Sequence, residues 1–137
     1  HLTHKEIKKS IIDDFDTEMI EKALSKELEN DKQIKGIFVP SSAIFTIANF
    51  LEDRGLNDIR TIGYDTHLDN LEYIRRGSID FAIDQNPFEQ GYMGLKILTE
   101  YLLLNKTPKP KYNSAINMVT KENVDYFNVA DTIEYAV

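Results

Sequence analysis

The sequence contains no cysteine. A disulfide framework, a thiolate metal site and a cysteine nucleophile are therefore excluded, and the redox compartment stays undetermined. Long apolar runs are missing as well. No stretch approaches the roughly 20 residues that a membrane-spanning helix needs, and the N-terminus shows no signal-peptide pattern. Positive charge is scarce: 16 Lys and Arg face 23 Asp and Glu, for a formal charge of −7. The basic residues cluster only as pairs such as Lys8-Lys9 and Arg75-Arg76. Neutralising a nucleic-acid backbone needs a larger basic patch, so direct DNA binding by this chain is not expected. Also absent are a Gly-x-Ser-x-Gly elbow and a phosphate-binding P-loop, and Ser41-Ser42 has no evident histidine base. Nothing calls for an enzyme, a cofactor or a membrane.

What remains is an ordinary globular composition. The chain has 137 residues with 42% apolar and 10% aromatic content, enough for one compact domain over residues 1–137. It begins at His1 rather than Met, so upstream residues are expected to have been removed or left out.

Short β-rich apolar runs alternate with helix-like segments, the pattern of βαβ units around a parallel sheet. Strands are expected at Ile34–Val39, Ile59–Gly63, Ile79–Ile83 and Ala115–Val119, with a weaker one at Ile7–Ile12. Asp16 reads as the N-cap of a helix over Thr17–Asn30, where Met19, Ile20, Ala23, Leu24 and Leu28 form an apolar stripe. Ser41 or Ser42 can cap a second helix that runs to Arg54 and stops at Gly55. Thr66 and Asp69 fit a capping box around His67, ahead of a helix ending near Gly77. Asn86-Pro87 opens the longest helix, in which Gly91 and Gly94 would permit close approach to the sheet. The stretch Lys106–Lys111, with prolines at 108 and 110, links helix to strand.

In an open parallel sheet, ligands bind where the strands end at their carboxyl edge. The residues after the expected strands are Pro40-Ser41-Ser42, Tyr64-Asp65-Thr66 and Asp84-Gln85-Asn86-Pro87-Phe88. Carboxylates accept hydroxyl protons, amides donate and accept, and rings cover apolar sugar faces, so this set suits a neutral polyhydroxylated ligand. Ser41, Ser42, Asp65, Thr66, Gln85 and Asn86 are the candidate binding residues. Helix capping is an alternative account of Ser41, Ser42, Thr66 and Asn86, and a turn is one for Asp65. Gln85 has no such structural explanation. His1 and His4 have metal-like spacing but no third ligand, and Asp13, Asp14, Asp16 and Glu18 read as a solvated acidic turn favoured at a helix N-terminus.

Gly36-Ile-Phe-Val-Pro-Ser-Ser, Ile62-Gly-Tyr-Asp-Thr, Gly77-Ser-Ile-Asp-Phe-Ala-Ile-Asp-Gln-Asn-Pro and Gln90-Gly-Tyr, in that order, resemble the second lobe of LacI-type regulators. They also resemble the related type I periplasmic sugar-binding proteins. The ending Val119-Thr-Lys-Glu-Asn-Val-Asp-Tyr-Phe also looks like that of LacI-type regulators of Bacteroides-like bacteria, and the resemblance covers about residues 30–127. It implies a three-layer αβα lobe with a mainly parallel sheet, a sugar or sugar derivative bound between two lobes, and Asp65 and Gln85 facing that cleft. It also implies a cytoplasmic homodimer that reaches operator DNA only through a headpiece outside this chain. Where the family commonly has Asn, often followed by Asp, this chain has Ser41-Ser42. A periplasmic binding protein, a sensor-kinase ligand domain, and a flavodoxin-like enzyme or phosphotransfer domain using Asp65 or Asp84 are the alternative readings.

Overall fold

The computed structural model describes residue 7 and residues 16–127. The strand expected at 7–12, apart from Ile7, lies outside the described residues, as do His1, His4, Asp13 and Asp14. The chain divides into two compact units, His1–Ile34 and Lys35–Val137.

The first unit contains helix α1, Thr17–Asn30. Asp16 caps it as expected: its carboxylate accepts the Glu18 amide at 3.0 Å, satisfying one of the orphan donors of the first turn. Ile20, on the apolar stripe, is buried.

The second unit runs β1 (Gly36–Val39), α2 (Ile44–Asp53), β2 (Arg60–Tyr64), α3 (Leu68–Arg76), β3 (Phe81–Asp84), α4 (Pro87–Leu104), β4 (Asn117–Thr120) and a final 3-10 turn, Val124–Phe127. The strands lie side by side in chain order, and β1, β2 and β3 are parallel. This is an α/β fold with a mostly parallel sheet. Two helix stops follow the expected glycine chemistry: Gly55 and Gly77 hold φ of +65° and +85°, where a Cβ would be strained.

Register decides which face is core. Gly63 pairs with Val39 and Ala82, and Ala82 pairs with Val119, so these side chains share one face. There they meet Ile44, Ala48, Leu71 and Ile74 from α2 and α3, with Ile79 and Val124 completing a buried cluster. Each large aliphatic side chain buried in this way contributes about 1.5–3 kcal/mol. Gly63 sets the spacing: a Cβ there would lie 2.8 Å from both Ile44 Cδ1 and the Val39 carbonyl oxygen. The other face carries Phe38, Ile62, Tyr64, Phe81, Ile83 and Met118, of which Phe38 and Met118 are exposed.

Several local expectations are corrected. α2 starts at Ile44 behind Ala43, with no side-chain cap; Ser41 Oγ instead accepts the Ala43 amide at 3.4 Å in a turn ahead of the helix. α3 is preceded by His67 and also lacks a side-chain cap, because the Thr66 hydroxyl is directed to Asp84. Asn86 occupies the N-cap position of α4 with Pro87 following, but its amide donates to Glu89 rather than accepting a backbone N–H. Gly91 and Gly94 do not bring α4 close to the sheet: a Cβ at either would meet nothing within 4 Å, and no α4 residue is buried.

The largest departure from a simple βαβ alternation is β4, which pairs antiparallel with β3. Connector residues 105–116 bring the chain back to the carboxyl edge of β3, and two hydrogen bonds fix the return. The Tyr112 hydroxyl donates to Glu89 Oε1 at 2.7 Å and the Ser114 hydroxyl to Glu89 Oε2 at 3.0 Å. Asn117 consequently lies opposite Asp84.

Candidate functional site

The carboxyl edge of β1, β2 and β3 gathers three polar loops. Parallel pairing forces this, because strands running the same way deliver their following residues to the same end. Ser41 is half-buried and Ser42 exposed after β1; Asp65 and Thr66 are half-buried after β2; Gln85 is exposed and Asn86 half-buried after β3.

Two of these loops are joined directly. Gln85 Nε2 donates to Asp65 Oδ1 at 3.2 Å. Asp65 holds φ of +71° and Asn86 holds +54°, left-handed conformations uncommon for residues with a side chain. Asp and Asn tolerate this region best, and such backbone settings concentrate at functional loops. The Asp65 amide donates to the Ile83 carbonyl at 3.0 Å, tying the turn to β3. Behind it, Asp84 is buried, and its carboxylate accepts from the Thr66 hydroxyl at 3.1 Å and from Asn117 Nδ2 at 3.3 Å. A buried carboxylate needs such donors to offset lost hydration.

Not every candidate joins this network in the same way. Ser41 engages only its own turn, while Ser42 contributes its backbone carbonyl, which accepts from Asn70 Nδ2 at 3.1 Å and lies 2.9 Å from His67 Nε2. His67 therefore packs against loop 40–43, with its ring edge-on to Phe45 at 5.4 Å. Asn86 turns to Glu89 at 2.6 Å. The hydrogen bonds that Glu89 accepts from Tyr112 and, next, from Ser114 hold its pKa below the ordinary value, and the same bond raises that of Tyr112.

Sequence reasoning passed over three residues at this edge. Asn117 arrives only because β4 is antiparallel; in a parallel strand the residues after Val119 would have been placed here. Glu89 sits in the first turn of α4, three residues beyond Asn86, a spacing that could have raised it. Asn70 is fully buried in α3, and a buried amide on a helix face is a signal the sequence cannot distinguish from a solvated one.

Among the described residues, no group of three or more His, Cys, Asp or Glu could hold a metal ion, and no helix is long and apolar enough to cross a membrane. A cavity of about 360 Å³ lies at the opposite end of the strands, bordered by Glu52, Arg60, Arg76, Ser78 and Asp80. Its charges neutralise one another: Arg60 pairs with Asp80 at 2.8 Å and Arg76 with Glu52 at 3.8 Å.

Polar loops gather at one end of a mostly parallel sheet, with a carboxylate and an amide interlocked across them, in an α/β domain. The periplasmic binding protein domain model matches residues 4–107, and the chain belongs to that family. A xylose/arabinose-binding protein, XylF, from Sulfolobus acidocaldarius is 25% identical over 120 residues, 82% of this chain and 30% of the relative. Among solved structures, a protein assigned as a LacI transcriptional regulator from Bacteroides fragilis is 28% identical with a TM-score of 0.73, over 77% of this chain and 37% of that one. An ABC transporter solute-binding protein from Agrobacterium vitis, bound with α-D-tagatopyranose, superposes with a TM-score of 0.79 over 92% of this chain and 43% of its own. At 23% identity it bears on the fold alone. The chain thus spans less than half the length of each of these proteins.

Proposed function

We propose that this chain is one lobe of the effector-sensing domain of a LacI-type transcriptional regulator, binding a sugar or sugar derivative in a cleft between two lobes. The observation that carries the ligand reading is the Asp65–Gln85 bridge, which joins two strand-end loops and sets an acceptor-rich carboxylate beside an amide. A sugar presents many hydroxyl donors and acceptors at close spacing. Asp65 accepts hydroxyl protons in charge-assisted bonds, while Gln85 and Asn86 donate and accept; Ser41, Ser42 and Thr66 complete the wall. No nucleophile–base pair is present among these residues, and the role is binding rather than catalysis.

The likeness to the Bacteroides regulator, at 28% identity, supports the regulatory reading. In it, sugar contacts to both lobes favour a closed arrangement, and a dimer transmits that closure to DNA-binding headpieces outside this chain. Only a difference in affinity between open and closed states can shift such an equilibrium. The XylF relative favours a second reading, a sugar-binding protein serving transport, with the same wall and the same chemistry.

A calorimetric titration of the full-length protein with monosaccharides tests the ligand, with Asp65→Ala and Gln85→Ala beside it. Saturable binding that both variants lose is the expected result, and binding unchanged in both would refute the site. An operator-binding assay with and without the bound sugar separates the two readings: sugar-dependent DNA affinity is expected of the regulator, and its absence in a sugar-binding protein leaves the transport reading.

A further inference from the structure

Asn70 lies on α3, below the loops rather than in them, and is completely buried. Its Nδ2 has three carbonyl oxygens within hydrogen-bonding distance: Asp65 at 2.9 Å, Ser42 at 3.1 Å and Tyr64 at 3.2 Å. Its Oδ1 accepts the Phe45 amide at 3.1 Å, in the first turn of α2. One side chain therefore holds the end of loop 40–43, the start of α2 and both residues of the β2 turn. Nδ2 carries only two hydrogens, so one is shared between acceptors.

The arrangement supplies what the local sequence does not. α2 has no side-chain N-cap of its own, and Asn70 Oδ1 reaches one of its orphan amides from another helix. Asp65 stands in a left-handed conformation that a non-glycine residue keeps only when its surroundings fix it. The Asn70–Asp65 carbonyl bond and the Asp65 amide–Ile83 carbonyl bond clamp that turn from both sides. The amide matches this mixed set: Asp would set a second acceptor against three carbonyls, and Leu would withdraw both the shared donor from those carbonyls and the acceptor from the Phe45 amide.

From this geometry we infer that Asn70 is the positioning residue of the binding wall. It couples the Ser41-Ser42 loop to the Asp65 turn and presets the direction of the Asp65 carboxylate without touching ligand itself. The inference rests on the sugar-binding reading for its effect on affinity, but not for its effect on the two loops.

The test uses the full-length protein, with the tightest-binding member of a panel of free aldopentoses and aldohexoses as probe. Asn70→Ala is compared with Ile79→Ala, a core change at the amino end of β3 that destabilises the fold away from the loops. Both are titrated below their melting points. At least a tenfold loss of affinity is expected in Asn70→Ala and less than twofold in Ile79→Ala. Unchanged affinity in Asn70→Ala, or losses that merely follow the fall in melting temperature in both variants, would overturn the role.

Ligand-free hydrogen exchange supplies an independent arm. Asn70→Ala should speed exchange of the Phe45 and Asp65 amides together by tenfold or more, leaving the Ile62 and Gly63 amides unchanged. If no sugar binds even the unaltered protein, the sugar reading fails on its own and this arm decides the positioning role: selective exchange upholds it, and uniform or unaltered exchange refutes it.

Discussion

Gln85 and Asp65, twenty residues apart in sequence, are joined at 3.2 Å by an amide–carboxylate hydrogen bond across the ends of β3 and β2. The bond exists because the two strands are parallel neighbours with Tyr64 paired to Ile83, which puts the following residues of each within reach. It ties together the two loops to which the proposal assigns ligand binding, so on that reading affinity and loop geometry are coupled there.

Replacing Asp65 with glycine should separate function from stability. Glycine adopts the +71° φ without a Cβ penalty, which is worth about 1–2 kcal/mol and offsets the loss of one exposed hydrogen bond. Urea unfolding is expected to show stability within about 1 kcal/mol of the unaltered protein, while the sugar-dependent rise in melting temperature disappears. A ligand at 100 times its dissociation constant contributes about 2.7 kcal/mol, so its absence is easily read.

Gly63→Ala should destabilise the second unit by about 1–3 kcal/mol. Its new Cβ would fall 2.8 Å from the Val39 carbonyl oxygen, a backbone atom that cannot swing aside, and 2.8 Å from Ile44 Cδ1. Chemical denaturation measures the loss; a variant as stable as the parent would show that α2 can lift from β2 without cost.

Leu71→Ala removes a fully buried side chain from the centre of the cluster formed by α2, α3 and the sheet. A loss of about 2–5 kcal/mol is expected from the transfer and cavity terms together. The same measurement on Leu102→Ala, an exposed α4 position, should give a change within about 0.5 kcal/mol.

Acid should loosen the connector before it unfolds the sheet. The folded-state pKa of Glu89 is depressed below 4.5 by the Tyr112 and Ser114 hydroxyls, so its ionised form is favoured by folding. The stabilisation is present above the unfolded value and is lost as pH falls through the depressed folded value. The Tyr112 ring resonances, read by NMR, should therefore move toward their unfolded positions as pH falls below 4.5, and Glu89→Gln should show much of that change already at neutral pH. Tyr112 resonances insensitive both to pH and to the substitution would refute the clasp.

Much of this architecture is legible in the chain itself. Period and punctuation place α1 at Thr17–Asn30 under Asp16, stop α2 and α3 at Gly55 and Gly77, and locate four strands to within a few residues, because these features are local. Strand order then nominates Asp65 and Gln85, since residues that follow parallel strands share an edge whatever their neighbours are. Capping proved less readable. Thr66, Ser42 and Asn86 have the chemistry of caps, yet their side chains or carbonyls are engaged by Asp84, Asn70 and Glu89, partners that no local pattern reveals.

The sequence by itself thus determined the elements, the family motifs and the loops that carry polar groups, all of which depend on residues within a few positions of one another. Tertiary structure alone decided that β4 runs antiparallel and delivers Asn117 to Asp84, and that Asn70 reaches from α3 to two loops. It also decided that Gly91 and Gly94 face open space. Each of these depends on where distant segments meet, and hydrogen bonds spanning 20 to 33 residues, such as Gln85–Asp65 and Asn117–Asp84, have no signature in the spacing of the residues that form them.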